Sequence, residues 1–184
     1  MPKLYIDTRG IILKAAQEEI EEKGLEGVNV RSIAQRAGLG LGTFYNYFKS
    51  RRDLISYFLT QDRQAYEERL LRTAKEVKGD VYLLLKDISE SVREFYSKHQ
   101  AVLDSFHKEE GKEFCASYQD EVVNSIAKII LSIPKVSCTE DEALFYAYSI
   151  FGYSLGEVRL PLTGFCKIIN RGLFRLGGRK KWND

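Results

Sequence analysis

The chain has 184 residues, enough to bury a sizeable core in one or two domains, and its 44% hydrophobic and 29% charged shares exclude a disordered or membrane-embedded chain. No run of about 18 apolar residues occurs and the charged first ten residues lack an apolar signal core, so a cytoplasmic protein without membrane contact is expected. The net charge of +2 lies wholly in residues 1–60, with nine Lys/Arg against seven Asp/Glu, whereas residues 61–184 balance at nineteen of each.

Helical periodicity runs almost throughout, with no convincing strand, repeat or low-complexity linker. Ile12, Ala15, Ala16 and Ile20 recur at three- and four-residue steps in a first helix that Gly24 ends. Asn29 caps a short second helix whose inner face is Val30, Ile33, Ala34 and Ala37, and Gly38 stops it. A third helix covers about Leu41 to Phe48. Ser50 caps a long fourth, with Leu54, Ile55, Phe58 and Leu59 inward and Asp62, Arg63, Glu67 and Arg69 outward. Helices are predicted at about 81–98, 101–107 and 112–132, the last broken at Ile133-Pro134-Lys135. Thr139 and Glu142 form a capping box that opens a helix to about Val158. Pro161 separates it from a final helix capped by Thr163 and ended at Gly177-Gly178. The expected fold is all-α with about nine helices.

Cys115, Cys138 and Cys166 are odd in number and widely spaced, which argues against a disulfide framework or zinc site and for small buried hydrophobes. The only histidines, His99 and His107, lie near no ligand-spaced Cys, Asp or Glu cluster, so no metal and no cofactor is expected.

The segment from Ala37 to Phe48 reads AGLGLGTFYNYF. Its three alternate glycines fit neither the dinucleotide-binding spacing nor the P-loop, because a helix precedes them and no Lys follows Gly42. Helix, tight turn, helix is the reading left: Gly38 leaves the second helix in a left-handed cap, and Gly40 and Gly42 let the next helix start close to another surface. Phe44 and Phe48, four apart, can face the core, while Thr43, Tyr45, Asn46 and Tyr47 project elsewhere. Between Gly27 and Arg52 the chain carries Arg31, Arg36, Lys49, Arg51 and Arg52 without one acid. A polar-aromatic helix inside a basic patch suits insertion into a DNA groove.

The run VRSIAQRAGLGLGTFYNYFKSRRDL from Val30 to Leu54, preceded by RGIILKAA from Arg9 and EKG from Glu22, closely resembles the DNA-binding domain of the TetR family of transcriptional regulators. The match is specific over about residues 8–55; the rest of the chain matches only in length and helical character. The resemblance implies a three-helix helix-turn-helix domain over 1–50 and a larger helical effector-binding and dimerisation domain over 51–184. It also implies that Leu41, Gly42, Thr43 and Tyr45 approach bases, that Asn46, Tyr47, Lys49 and Arg51 hold phosphates, and that Arg31 reaches a base or the backbone. Gly40 stands where a capping residue is often found, Leu41 where a polar one is common, and Glu19 where an apolar one is usual.

Gly152-Tyr153-Ser154-Leu155-Gly156 fits the nucleophile elbow of serine hydrolases, but the pattern around it is helical and both histidines precede the serine, so an enzyme is not expected. Ser149, Gly152 and Gly156 instead form a small-residue stripe on a helix. With Phe165, Ile169, Gly172 and Leu173 of the last helix they are the expected homodimer interface, as in the family. Tyr96, His99, His107, Tyr118 and Tyr146 are candidate polar anchors for a small apolar or aromatic effector. The expected function is a regulator, by family habit a repressor, released from duplex operator DNA by that effector. The alternatives are a helical protein-interaction module that binds no DNA, and a hydrolase using Ser154.

Overall fold

The computed structural model describes residues 7–78, 80–110, 112–157 and 159–174, with the side chains of 105 and 107–115 outside that description. Among the described residues there are eight helices and no strand: α1 (Thr8–Lys23), α2 (Val30–Arg36), α3 (Leu41–Tyr47), α4 (Arg51–Lys75), α5 (Tyr82–Glu110), α6 (Lys112–Leu131), α7 (Glu140–Ser154) and α8 (Leu162–Leu173). The count falls one short of expectation because the segments predicted at 81–98 and 101–107 form the single helix α5. Lys98, His99 and Gln100 between them include neither Gly nor Pro, so nothing local stops propagation.

Most helix ends follow the local chemistry. Asn29 accepts from the backbone N–H groups of Arg31 and Ser32, Ser50 accepts from Asp53 N–H at 3.1 Å, and Thr139 and Glu142 close the capping box reciprocally. Gly38 takes φ +68°, with Leu39 N–H donating to Ala34 O and Gly38 N–H to Gln35 O, which satisfies the last carbonyls of α2. Two ends depart from expectation. Pro161, not Thr163, stands at the N-terminus of α8, with no side-chain cap, and its carbonyl accepts from the Gly164 and Phe165 N–H groups to start the helix. Helix α7 ends at Ser154 since Gly156, at φ +83°, turns the chain before Val158, a residue outside the described set. The expected stop at Gly177-Gly178 also lies outside it.

The chain packs as two compact units, one of residues 1–61 with 99–111 and one of residues 62–98 with 112–184. In the first, Ile12, Ala16, Ile33, Phe44, Leu54 and Ile55 are fully covered. In the second, Leu84, Leu85 and Ile88 of α5 are buried, as are Val123, Ile126 and Ile130 of α6; α7 contributes Ala143, Ala147 and Ile150, and lies against α6. Cys166 is buried and unbridged, and burial raises its thiol pKa; Cys138 is half-buried.

Candidate nucleic-acid interface and effector cavity

Helix α3 is short, and two rings fix it. Phe44 and Phe48, one turn apart, lie 5.8 Å centroid to centroid and are buried. With that face locked, the others point outward by geometry: Leu41, Tyr45 and Tyr47 are 38%, 45% and 43% exposed, Gly42 and Asn46 are exposed, and Thr43 is half-buried. Tyr45 keeps an edge contact with Phe44, which orients its ring without covering it. Arg31 and Lys49 are exposed, and neither side chain has a hydrogen bond or ion pair among the described residues. Gly40 and Gly42 have open space where a Cβ would stand, so no described residue requires glycine there by crowding.

The basic patch is smaller in space than in sequence. Acids of α1 neutralise Arg36: its guanidinium donates to Glu22 at 2.6 and 2.7 Å and approaches Glu19 at 3.4 Å and Glu18 at 3.6 Å. The hydrogen bond to Glu22 is the main cause of its raised pKa. Arg51 is engaged too, donating from Nε to Val28 O at 2.9 Å and from Nη2 to Glu26 O at 2.8 Å. A phosphate at Arg51 would share donors that tie α4 to the loop after α1. The acids before residue 27 fold onto the patch, which spacing along the chain does not reveal.

Within the second unit, a cavity of about 420 Å³, counting its open mouth, lies among α4, α5 and α6. Tyr66, Leu70, Phe95, Tyr96, Ile126 and Ile129 supply most of the wall. Phe95 meets Tyr66 and Tyr96 edge-on at 6.4 and 5.9 Å. Much of the polar part of the wall is a set of mutual partners. Ser125 Oγ accepts from Arg63 Nη1 at 2.7 Å and donates to Glu67 Oε2 at 2.7 Å; Arg63 Nη2 donates to Glu121, and Lys128 donates to Glu67. Burial alone would raise the Glu67 pKa, but the hydrogen bonds from Lys128 and Ser125 outweigh it and hold the carboxyl below its ordinary range. Arg63 and Glu67, expected as outward charges of α4, are therefore largely covered.

The profile of "Bacterial regulatory proteins, tetR family" matches residues 12–58, the stretch that builds α1 to α3 and enters α4. An HTH-type transcriptional regulator of Staphylococcus aureus is 30% identical over 82 residues, which is 45% of this chain and 42% of that protein. The uncharacterized HTH-type transcriptional regulator YvdT of Bacillus subtilis is 37% identical over 82 residues, 45% of this chain and 39% of YvdT. The chain resembles the tetR family within residues 12–58. It spans about two-fifths to half the length of the curated relatives it matches. In fold it is similar to the TetR family repressor AlkX of a Dietzia species, with a TM-score of 0.54 at 16% identity over 95% of this chain and 99% of AlkX.

The second unit departs from expectation. Of the five anchors expected for an effector, only Tyr96 lines the cavity. Tyr118 is buried against Phe95 at 5.8 Å, and desolvation raises its hydroxyl pKa. Tyr146 lies over Gly172, and His99 is buried outside the cavity wall; the His107 side chain falls outside the described residues. Sequence reasoning missed Arg63, Tyr66, Glu67, Ser91 and Ser125. Their one advance signal was the i, i+3, i+4 spacing of Arg63, Tyr66 and Glu67, which puts all three on one face of α4.

The dimer assignment also needs correction. Phe165, Ile169 and Leu173 are core residues, 4%, 2% and 0% exposed, with Phe165 stacked on Tyr153 at 4.3 Å. Gly152 is covered by Glu157, and the space at Gly172 is taken by Tyr146. Ser149 is half-buried and Gly156 exposed. The apolar side chains that α7 and α8 do leave exposed are Phe145 (67%), Tyr148 and Ile168 (59%).

The G-x-S-x-G run proves to be a helix terminus. Glu157 N–H donates to Gly152 O and Gly156 N–H to Tyr153 O, the pattern that closes a helix through a left-handed glycine. Ser154 Oγ, buried, donates back to Ile150 O at 2.7 Å, a bond that leaves no poised nucleophile. No group of three metal-ligating side chains occurs among the described residues, and no described helix is long and apolar enough to cross a membrane.

Proposed function

We propose that this chain is a cytoplasmic, homodimeric transcriptional repressor that reads duplex operator DNA with α3 and releases it when a small apolar or aromatic effector fills the cavity among α4, α5 and α6. One observation carries the reading. The outward side of α3 presents Leu41, Gly42, Tyr45 and Asn46 exposed, flanked by Arg31 and Lys49, whose side chains have no partner among the described residues, while the inward side is locked by Phe44 and Phe48. A side-chain set of this kind divides the labour of groove recognition: Leu41, Thr43 and the Tyr45 hydroxyl for base edges, Asn46 and the cations for phosphates. The named curated relatives are HTH-type transcriptional regulators, which supports the same reading.

The dimer supplies the second reading helix, which must stand about 34–36 Å from the first to enter successive major grooves. Phe145, Tyr148 and Ile168, left exposed on α7 and α8, are the surface we assign to it. An effector that favours a differently spaced state lowers DNA affinity by the difference in its affinity for the two states, typically about 1–3 kcal/mol.

The test is selection of bound fragments from random DNA, followed by anisotropy titrations across salt. Tyr45→Ala should cost roughly 1–3 kcal/mol on the selected site, whereas Lys49→Ala should weaken all sequences alike and reduce the salt slope by about one. Equal binding by wild type and both variants would point to the interaction-module alternative instead.

A further inference from the structure

We propose that Leu41 is a specificity-determining residue that packs on the C5 methyl of a thymine in the major groove, so that the DNA this chain selects carries a thymine at that position. The proposal deepens the DNA reading above and rests on it.

The outward side of α3 follows from the buried one. With Phe44 inward, the step of about 100° between successive helical residues puts Gly42 and Asn46 at the middle of the exposed side. Leu41 and Tyr45 then run along one flank, and Thr43 and Tyr47 along the other. Gly42 has open space where a side chain would stand, so a duplex meets no obstacle from the chain at the middle of that side. Leu41, 38% exposed, projects beside it with methyl and methylene groups alone, while Tyr45, one turn on, adds a hydroxyl that both donates and accepts.

The absence of charge on the helix narrows what it can read. Helix α3, LGTFYNY, contains no Arg, Lys, Asp or Glu. It therefore lacks the bidentate cation that reads O6 and N7 of guanine and the carboxylate that accepts from the amino group of cytosine. Arg31 and Lys49 are exposed but lie outside α3, and their charge suits the phosphates that would hold the helix in the groove. An aliphatic side chain finds one matching mark of base identity in the major groove, the thymine methyl, because the other marks there are donors and acceptors. A donor or acceptor covered by Leu41 would lose water without gaining a hydrogen bond. Covering the thymine methyl instead withdraws apolar surface from water on both molecules.

The experiment uses the 184-residue chain and the fragment it selects from random DNA. Each thymine of that fragment is replaced in turn by uracil, which deletes the C5 methyl and keeps every donor and acceptor, and affinity is read by anisotropy at fixed salt. At least one replacement is expected to weaken binding about three- to tenfold, the effect of removing one methyl from an apolar contact. Leu41→Ala is expected to bind the thymine and uracil forms of that position alike, with its salt slope unchanged because no charge is lost. Leu41 lies off the buried face of α3, so the variant keeps Phe44 and Phe48 in place, and circular dichroism checks its helix content. A selected fragment in which no thymine responds to loss of its methyl overturns the assignment while leaving DNA binding in place. A response that Leu41→Ala leaves undiminished overturns it in the same way. If no fragment is enriched, the reading of DNA itself fails and the assignment falls with it.

Discussion

Glu19 offers the sharpest test of how the reading unit is held together. Its side chain is 0% exposed, and its carboxylate accepts from Lys23 Nζ at 2.8 Å, from Ser32 Oγ at 2.8 Å and from Arg36 Nη2 at 3.4 Å. The Ser32 and Arg36 bonds join α1 to α2, so this group helps fix the helix that leads into the recognition turn. Glu19→Gln preserves the volume but removes the charge and turns an NH2 group toward donors. The Lys23 and Arg36 partners are partly solvated, which discounts their loss, while the Ser32 bond is more sheltered; about 2 kcal/mol is the expected cost. For a chain of this size that is a fall in Tm of about 4–8 °C. The hydrogen bond from Lys23, aided by Ser32 and the charges of Lys23 and Arg36, outweighs burial and holds the Glu19 pKa below its ordinary 4.5. A depressed folded-state value means the stabilisation is complete above the unfolded pKa and is lost as pH falls through the folded one. Urea unfolding followed by circular dichroism should therefore give a constant gap between wild type and Glu19→Gln from pH 7 to about 5.5, narrowing below about 4.5. Equal stability at pH 7, or an undiminished gap at pH 3.5, would refute the account.

Gly172→Ala should destabilise the chain by about 1–3 kcal/mol, against the gain of about 1 kcal/mol that a helical Gly→Ala change otherwise brings, because the new Cβ would stand 2.1 Å from Tyr146 Oη. An unchanged or raised urea midpoint contradicts this. Phe145→Asp combined with Ile168→Asp should convert a dimer to a monomer in sedimentation at micromolar concentration with helix content retained, whereas a wild type that is monomeric there removes the interface assignment.

Local signals were readable in the sequence wherever a few neighbouring residues settle the outcome. The caps at Asn29, Ser50 and Thr139, the left-handed turn at Gly38 and the inward pair Phe44 and Phe48 are all matters of short-range geometry, and each appears as expected. What failed depends on partners distant along the chain. Arg36 counts as a free cation until α1 folds Glu18, Glu19 and Glu22 against it. Arg63 and Glu67 look like solvated charges until α6 brings Ser125 and Lys128 beside them, 58 to 62 residues away. Periodicity marks an apolar helix face but not which of two apolar faces is covered, so Phe165, Ile169 and Leu173 of α8 were expected at an interface that their burial denies them.

The glycines separate what the chain needs for itself from what it offers to others. Gly152 and Gly172 have neighbours of the same chain in the space of a side chain, and Gly38 needs its positive φ, so folding accounts for all three. Gly40, Gly42 and Gly164 have no neighbour within 4 Å of an added Cβ, and none of them has a positive φ. Within α3 and α8, Gly42 and Gly164 each cost about 1 kcal/mol relative to alanine, whereas Gly40 is the N-cap of α3, a position that favours glycine over alanine. Gly40 and Gly42 flank Leu41 at the start of α3, where a DNA backbone in the proposed complex would approach closest. Gly164 stands one helical turn from the exposed Ile168, where a second copy of α7 or α8 would approach. In the proposed dimer Gly164 has room for a close approach that Gly172 lacks, since Tyr146 already occupies the space there.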